Sequence, residues 1–251
     1  MNIGIVGTGP LGSIIAVKLI KAGHRVKVTN TRPMPELEKI AAGLGATAAT
    51  IQDVVKDVDA ILFSMPFNVY KNLPQDLLKM VPQDVIIMDT SNYTPLRDGE
   101  ISELEHIPES VYISEMLGRP LVKVFNDVLG YTLENKGKAP GTDDRIAISI
   151  AGDNQEHKKV VSQLVDQMGF DTVDGGSLAE SWRQQLGTPA FCTELNKEEL
   201  TQALLRADRE KAPAIRDFIL NKLGYMDGYP SYEEIIAVNR SVTSGDLQQF
   251  N

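Results

Sequence analysis

The sequence predicts an α/β protein, a Rossmann-type doubly wound, mostly parallel sheet carrying a C-terminal helical appendage. Three observations predict it. Short apolar runs alternate with segments of helical spacing up to Gly176. A Gly-x-Gly-x-x-Gly turn joins the first run to the first helix. Beyond Gly176 the strand-like runs stop and helical segments follow. The expected division is a dinucleotide-binding domain over 1–176 and a helical region over 177–251.

"IGIVG", from Ile3, is apolar enough for a strand buried on both faces. Leu11, Ile14, Ile15, Leu19 and Ile20 repeat at helical spacing, and Gly23 stops that helix. "RVKVTN" is the second strand, and 35–43 the second helix. A short strand at 46–49, a short helix at "IQDVVKD", a strand "DAILFSMP", a helix over about 67–79 and a strand "DVIIMDTSN" continue the alternation. "VYISEM" and "LVKVFN" read as two more strands, and "GYTLENKGKAPGTDD" as a long exposed loop. "RIAISIAG", a helix capped by Asp153 or Asn154, and "FDTVDGG" form a last strand-helix-strand unit, expected to extend the same sheet. "GSLAESWRQQL" is helical. Asn196 with Glu199 forms a capping box, 213–223 a further helix stopped by Gly224, and Ser231 with Glu234 caps another.

The bulk numbers narrow the partners. The 251 residues carry a formal charge of -9, with 42% hydrophobic and 24% charged residues. That balance argues against nucleic acid or an anionic membrane surface as a main partner. With the single cysteine, Cys192, no intramolecular disulfide forms, and a reducing cytoplasm is expected. No signal-peptide pattern opens the chain, and no apolar run approaches the ~20 residues of a membrane helix. No metal site is expected.

Gly7, Gly9 and Gly12 sit in the context that gives the glycine motif meaning: after a buried strand and at the start of an amphipathic helix. Gly7 allows a tight turn, Gly9 lets backbone approach a pyrophosphate, and Gly12 lets the helix pack close to the strand. Thr8, Pro10 and Leu11 complete the turn. Pro10 fits just inside the helix start, whose N–H groups and dipole suit an anion. About 20 residues further on, an NAD site carries an acid for the ribose 2′-hydroxyl. Here stand Asn30, Thr31 and Arg32. An acid would repel a 2′-phosphate, whereas amide, hydroxyl and guanidinium groups donate to it. The expected cofactor is NADP(H).

At "GIVGTGPLG", "GHRVKVTNTR", "ILFSMPF", "LVKVFN" and "IAGDNQEHKKVVSQLVDQMGFDTVDGGSLAES" the chain resembles the coenzyme F-420-dependent NADP oxidoreductases and their bacterial dinucleotide-binding relatives. The resemblance spans roughly 1–189. It implies that Asn30, Thr31 and Arg32 take the 2′-phosphate, and that Ser64, Met65, Pro66 and Phe67 border the ribose and nicotinamide. The "VKVFN" segment would then lie near the nicotinamide ring. The implied reaction is hydride transfer between NADP(H) and a small acceptor, deazaflavin F-420 or another flavin-like ring. Compact members of that family end soon after the matched stretch. The extra C-terminal helices and the lysine-containing loop 136–144 depart from the pattern and bear on the acceptor site.

Such a transfer needs no protein acid or base, because the cofactors carry the chemistry and the protein aligns the rings. Asn126 is the candidate for orienting the nicotinamide or acceptor, with Phe125 or Phe67 against a ring. The acceptor is expected over the C-terminal ends of the strands, between "SMPF", "DTSN" and "VFN". His24, His106 and His157 are expected to face solvent, Cys192 to be a buried structural thiol, and Trp182 to pack. "MDTSNYTPL" resembles the substrate-side segment of β-hydroxyacid dehydrogenases, but their helix-borne lysine has no match, and Lys123 on a strand is read as structural. A non-catalytic NADPH-binding module is the third reading. Leu200, Leu204, Ile215, Phe218, Ile219, Ile235 and Ile236 form apolar stripes on the appendage. A two-fold homodimer burying them is the expectation, and an intramolecular lid the alternative.

Overall fold

The computed structural model describes residues 1–224 and 230–243. The end of the expected appendage, 244–251, lies outside the described residues. The chain runs β1 (Asn2–Val6), α1 (Pro10–Lys21), β2 (Arg25–Thr29), α2 (Met34–Leu44), β3 (Thr47–Ala48), β4 (Ala60–Phe63), β5 (Ile86–Asp89), α3 (Pro95–Asp98), α4 (Glu109–Leu117), β6 (Val122–Lys123) and α5 (Gly130–Asn135). It continues through β7 (Ala147–Ile150), α6 (Gln155–Gln167), β8 (Asp171–Asp174), α7 (Lys197–Arg206), α8 (Ala212–Gly224) and α9 (Tyr232–Thr243).

Six strands form a parallel sheet in the order β3-β2-β1-β4-β5-β6. The order reverses direction between β1 and β4, so the sheet opens a crevice at the end of β1. Alternate side chains divide between two cores. Ala60, Leu62, Ile86 and Met88 pack with α1, α2 and α6, whereas Ile61, Phe63 and Ile87 face a second cluster with Val54, Phe67, Tyr70 and Ile113. Burial on both faces explains why these strands read as continuous apolar runs.

Several expected elements differ. "VYISEM" lies in α4 rather than in a strand. Pro108 precedes this helix and Gly118, at φ 62°, ends it in the left-handed conformation. The expected helix over 67–79 is a 3₁₀ turn, Phe67–Asn72, because Leu73 precedes Pro74 and is held extended at ψ 145°. "IQDVVKD" folds as turns that bury Val54 and Val55. The first six residues of the expected long loop form α5, which buries Leu133, while 137–144 are exposed as expected.

The largest difference concerns β7 and β8. They pair with each other as a separate two-stranded parallel sheet. They meet the main sheet through one antiparallel bridge, Lys123 to Ala151. The ladder stops there because β6 has two residues and Phe125, at φ 61°, turns the chain away. The capping residues hold as read. Asn154 accepts from the His157 N–H, Asn196 and Glu199 close a capping box, and Ser231 and Glu234 cap reciprocally.

The C-terminal stripes are covered within the chain. Leu200, Ala203 and Leu204 of α7 pack on Ala147 and Val173 of the small sheet. Ile219 of α8 packs with Leu186, Val238 and Val242, and Ile215 and Phe218 lean on that cluster. Ile215, Phe218 and Ile235 stay half-buried.

Candidate functional site

The turn after β1 shows which glycines the fold itself requires. Gly7 sits at φ 112°, and a Cβ there would lie 2.0 Å from the Ser64 carbonyl oxygen. A Cβ on Gly12 would lie 2.2 Å from the Gly7 carbonyl oxygen. Both positions are closed to a side chain by backbone. Gly9 differs: its backbone is ordinary, at φ -67°, and a Cβ there would meet nothing within 4 Å. Space lies open in front of Gly9, at the residue preceding α1. The first-turn N–H groups of α1 have no intrahelical acceptors. The first turn carries Pro10 and no acid, so the positive end of the helix is not neutralised. Ser13 Oγ donates to the Thr8 carbonyl and Gly7 N–H to Thr29, fixing the loop.

The end of β2 is tied directly to this loop. Asn30 Nδ2 donates to Thr8 Oγ1 at 2.6 Å, and Asn30 Oδ1 accepts from the Arg32 N–H at 2.8 Å. Asn30 therefore shapes the rim, while Thr31 and Arg32 are exposed beside it. The Arg32 guanidinium lies 3.6 Å from Glu36, with both side chains more than half exposed. That pair is loose and solvated, and leaves Arg32 donors for an anion.

At the exit of β4, Ser64 is buried, with Oγ accepting from Thr90 Oγ1 at 3.3 Å. Met65 is half-buried and Pro66 exposed. Phe67 points inward instead of walling a ligand: its ring stacks on Tyr112 at 5.8 Å and meets Tyr93 edge-on at 5.5 Å. Phe125 is 1% exposed within the main core. Asn126 is buried, and three of its amide's four hydrogen-bonding positions are used within the chain. Nδ2 donates to Asn92 Oδ1 at 3.1 Å and to the Gln184 carbonyl at 2.8 Å, and Oδ1 accepts from Gln184 Nε2 at 2.8 Å. The structure thus brings the glycine turn, Asn30, Arg32 and Ser64 around one crevice, and places Phe67, Phe125 and Asn126 beneath its surface.

Under the same strand ends lies a charged cluster built on Lys123, read as structural, and on Asp89, which no motif singled out. Lys123 and Asp89 are both fully buried and pair at 2.9 Å. Lys123 also donates to the Ser91 carbonyl, and Asp89 accepts from the Tyr70 hydroxyl at 2.5 Å and the Ser91 N–H at 3.0 Å. The signal was available: a lysine inside "LVKVF" and an aspartate closing "VIIMD" are charges in strands buried on both faces, which must pair. Nearby Glu109 is buried, and burial pushes its carboxyl up to about 7 against the opposing pull of Lys123 and the Tyr93 N–H. Burial likewise raises Asp127 to about 6, although the Ser149 hydroxyl and N–H donate to it.

The other singled-out residues lie apart. His106 is exposed, and His24 and His157 are half-buried. Cys192 is buried, and desolvation holds its thiol well above the usual range. Trp182 is half-buried, with the Arg183 guanidinium 4.5 Å from its ring centre. Among the described residues no group of three or more His, Cys, Asp or Glu could hold a metal ion, and no helix is long and apolar enough to cross a membrane.

Comparison with known proteins adds a family. Residues 2–93 match the model of the family described as NADP oxidoreductase, coenzyme F420-dependent. The chain is 35% identical over 102 residues to the protein YjhV of Escherichia coli (strain K12), covering 41% of this chain and 74% of YjhV. It is 27% identical over 184 residues to the metalloreductase STEAP3 of Rattus norvegicus, covering 72% of this chain but only 35% of that protein. In three dimensions it is similar to an Arthrobacter sp. FB24 protein proposed to be an F420-dependent NADP reductase. The TM-score is 0.56 at 19% identity, over 72% of this chain and 87% of that one. That likeness carries the fold alone. Through this amino-terminal unit the chain belongs to the NADP oxidoreductase, coenzyme F420-dependent, family and its bacterial dinucleotide-binding relatives.

Proposed function

We propose that the protein is an oxidoreductase that binds NADP(H) in the crevice at the end of β1 and exchanges a hydride with a small acceptor. One observation carries the reading. Gly9 is a glycine the protein's own packing does not require, and it faces open space at the start of a helix free of acids. A pyrophosphate against that backbone explains the residue. Arg32 and Thr31, held at the rim by Asn30, would take the 2′-phosphate. Ser64, Met65 and Pro66 would border the ribose and nicotinamide. The nicotinamide supplies the hydride chemistry when bound, and the chain's residues bind and orient it.

Family membership favours deazaflavin F-420, or a flavin, as the acceptor. Lys123 does not act as a general acid or base in this reading, because it is enclosed with Asp89 and Ser91. That supports the flavin-like class over a hydroxyacid-dehydrogenase-like one. Mixing the protein with NADPH and oxidised F-420, FAD or quinones, and separately with NADP+ and 2- and 3-hydroxy acids, and following nicotinamide oxidation state, tests the assignment. Turnover with a flavin-like acceptor supports it. Tight NADPH binding with no turnover on the whole panel favours the non-catalytic binding module instead. The cytoplasm remains the proposed compartment. A homodimer would use surface other than the covered C-terminal stripes, such as exposed Leu205 of α7, and light scattering tests it.

A further inference from the structure

A cleft of about 500 Å³ opens between residues 93–109 and the C-terminal part of the chain. Tyr93 and Trp182 wall it, Leu186 adds apolar surface, and Arg209 and Arg216 stand on the helical side. Its most deeply buried charged side chain is Glu109, which is 6% exposed and has no hydrogen-bond partner for Oε2. An unmatched buried acceptor costs about 1–3 kcal/mol, and more when charged. Glu109 lines the cleft, and a ligand that brings a donor to its carboxylate would remove that cost.

The neighbouring cations have hydrogen-bond partners other than Glu109. Arg216 Nε donates to Asp217 at 2.8 Å, and Arg209 Nη2 donates to the His106 carbonyl at 2.7 Å. Lys123 is held by Asp89 and Ser91. Among the described residues none of the three forms an ion pair with Glu109. The cleft also carries Glu100 and Glu105, so carboxylates outnumber its two arginines. An ammonium group suits this balance, because it has three donors and no acceptor, and its bonds to a carboxylate are charge-assisted.

We propose that this cleft is a binding site for a small organic amine, with its ammonium donating to Glu109 and its apolar body against Trp182 and Leu186. The proposal does not depend on the dinucleotide reading. Glu109 is the first residue of α4, so the helix dipole favours its ionised form. Lys123 and Asp89 from the sheet, Arg216 from α8 and the Tyr93 N–H also act on it, and burial leaves it near neutrality at about 7. Amine binding should therefore strengthen about tenfold from pH 6 to pH 8, as the carboxyl ionises.

Ligand-observed NMR or calorimetry with benzylamine tests this, with benzyl alcohol and benzoate as controls of the same shape. The expected result is saturable benzylamine binding at pH 8, at least about tenfold weaker for both controls. Glu109→Gln should weaken it at least about tenfold without lowering the melting temperature. Ser102→Trp, at an exposed position on the rim, should block the cleft and leave the fold intact, and so serves as an independent check. Absent benzylamine binding, equal binding of benzyl alcohol, or undiminished binding in Ser102→Trp would each overturn the proposal.

Discussion

Asn126 and Gln184 close a two-way pair: Gln184 Nε2 donates to Asn126 Oδ1, and Asn126 Nδ2 donates to the Gln184 carbonyl, each at 2.8 Å. The pair joins the residue just past the last strand of the main sheet to the turn that begins the C-terminal region. Asn126 also reaches Asn92. Both N–H donors of its amide are used within the chain, and Oδ1 keeps one acceptor position. Gln184→Leu should cost about 1–3 kcal/mol in urea unfolding, because it leaves Asn126 Oδ1 buried without a donor. NADPH affinity should stay within about twofold.

The glycine turn yields a contrast between two like substitutions. Gly9→Ala finds room and an ordinary φ, so stability should stay within about 0.5 kcal/mol while NADPH affinity falls at least about tenfold. Gly12→Ala drives a Cβ into the Gly7 carbonyl, so it should cost about 1–3 kcal/mol of stability as well as the cofactor. Thermal unfolding with and without NADPH separates the two.

The parts of the fold legible in the sequence were those with local signals. The glycine turn, the buried strands β1, β2, β4 and β5, and the caps at Asn154, Asn196 and Ser231 are written in short patterns. What escaped depends on residues just outside a pattern or on packing between distant segments. "VYISEM" mixes strand-favouring Val, Tyr and Ile with helix-favouring Glu and Met, and Pro108 and Gly118 decide it from outside. β7 and β8 form their own sheet because Phe125 adopts a left-handed backbone that no local pattern announces. Within the site, Arg32 and the glycines were readable, whereas the burial of Phe67, Phe125 and Asn126 follows from tertiary packing.

The buried pair of Lys123 and Asp89 predicts an asymmetric response. Lys123→Met should destabilise by about 3–5 kcal/mol, because it strands a buried carboxylate. Adding Asp89→Asn should recover part of that loss, because no unpaired charge then remains. Denaturant melts of the single and double variants check the sign of the recovery.

Stability should fall as pH rises through the weakly acidic range. Glu109 and Asp127 have folded pKa values raised to about 7 and about 6. The native state therefore holds protons that the unfolded chain has released, and unfolding becomes easier as pH climbs from about 4 to 7. Glu109→Gln removes its share of that slope. The variant should match the parent near pH 4.5 and exceed it at pH 8 by at most about 3 kcal/mol. Melting curves across that range give the comparison.

The pairing of Arg32 with Glu36 predicts that releasing the guanidinium helps the cofactor. Glu36→Gln should leave NADPH affinity unchanged or raise it a few-fold, and should not affect NADH. Titration calorimetry with both nucleotides checks it.

A rim of Asn30, Thr31 and Arg32 that selects a 2′-phosphate is tested by calorimetric titration of the protein and of Arg32→Ala with NADPH and NADH. NADPH should bind at least about tenfold tighter than NADH, and Arg32→Ala should lose about 1.5–3 kcal/mol for NADPH with NADH scarcely changed. Equal affinity of the unmodified protein for the two nucleotides would contradict it.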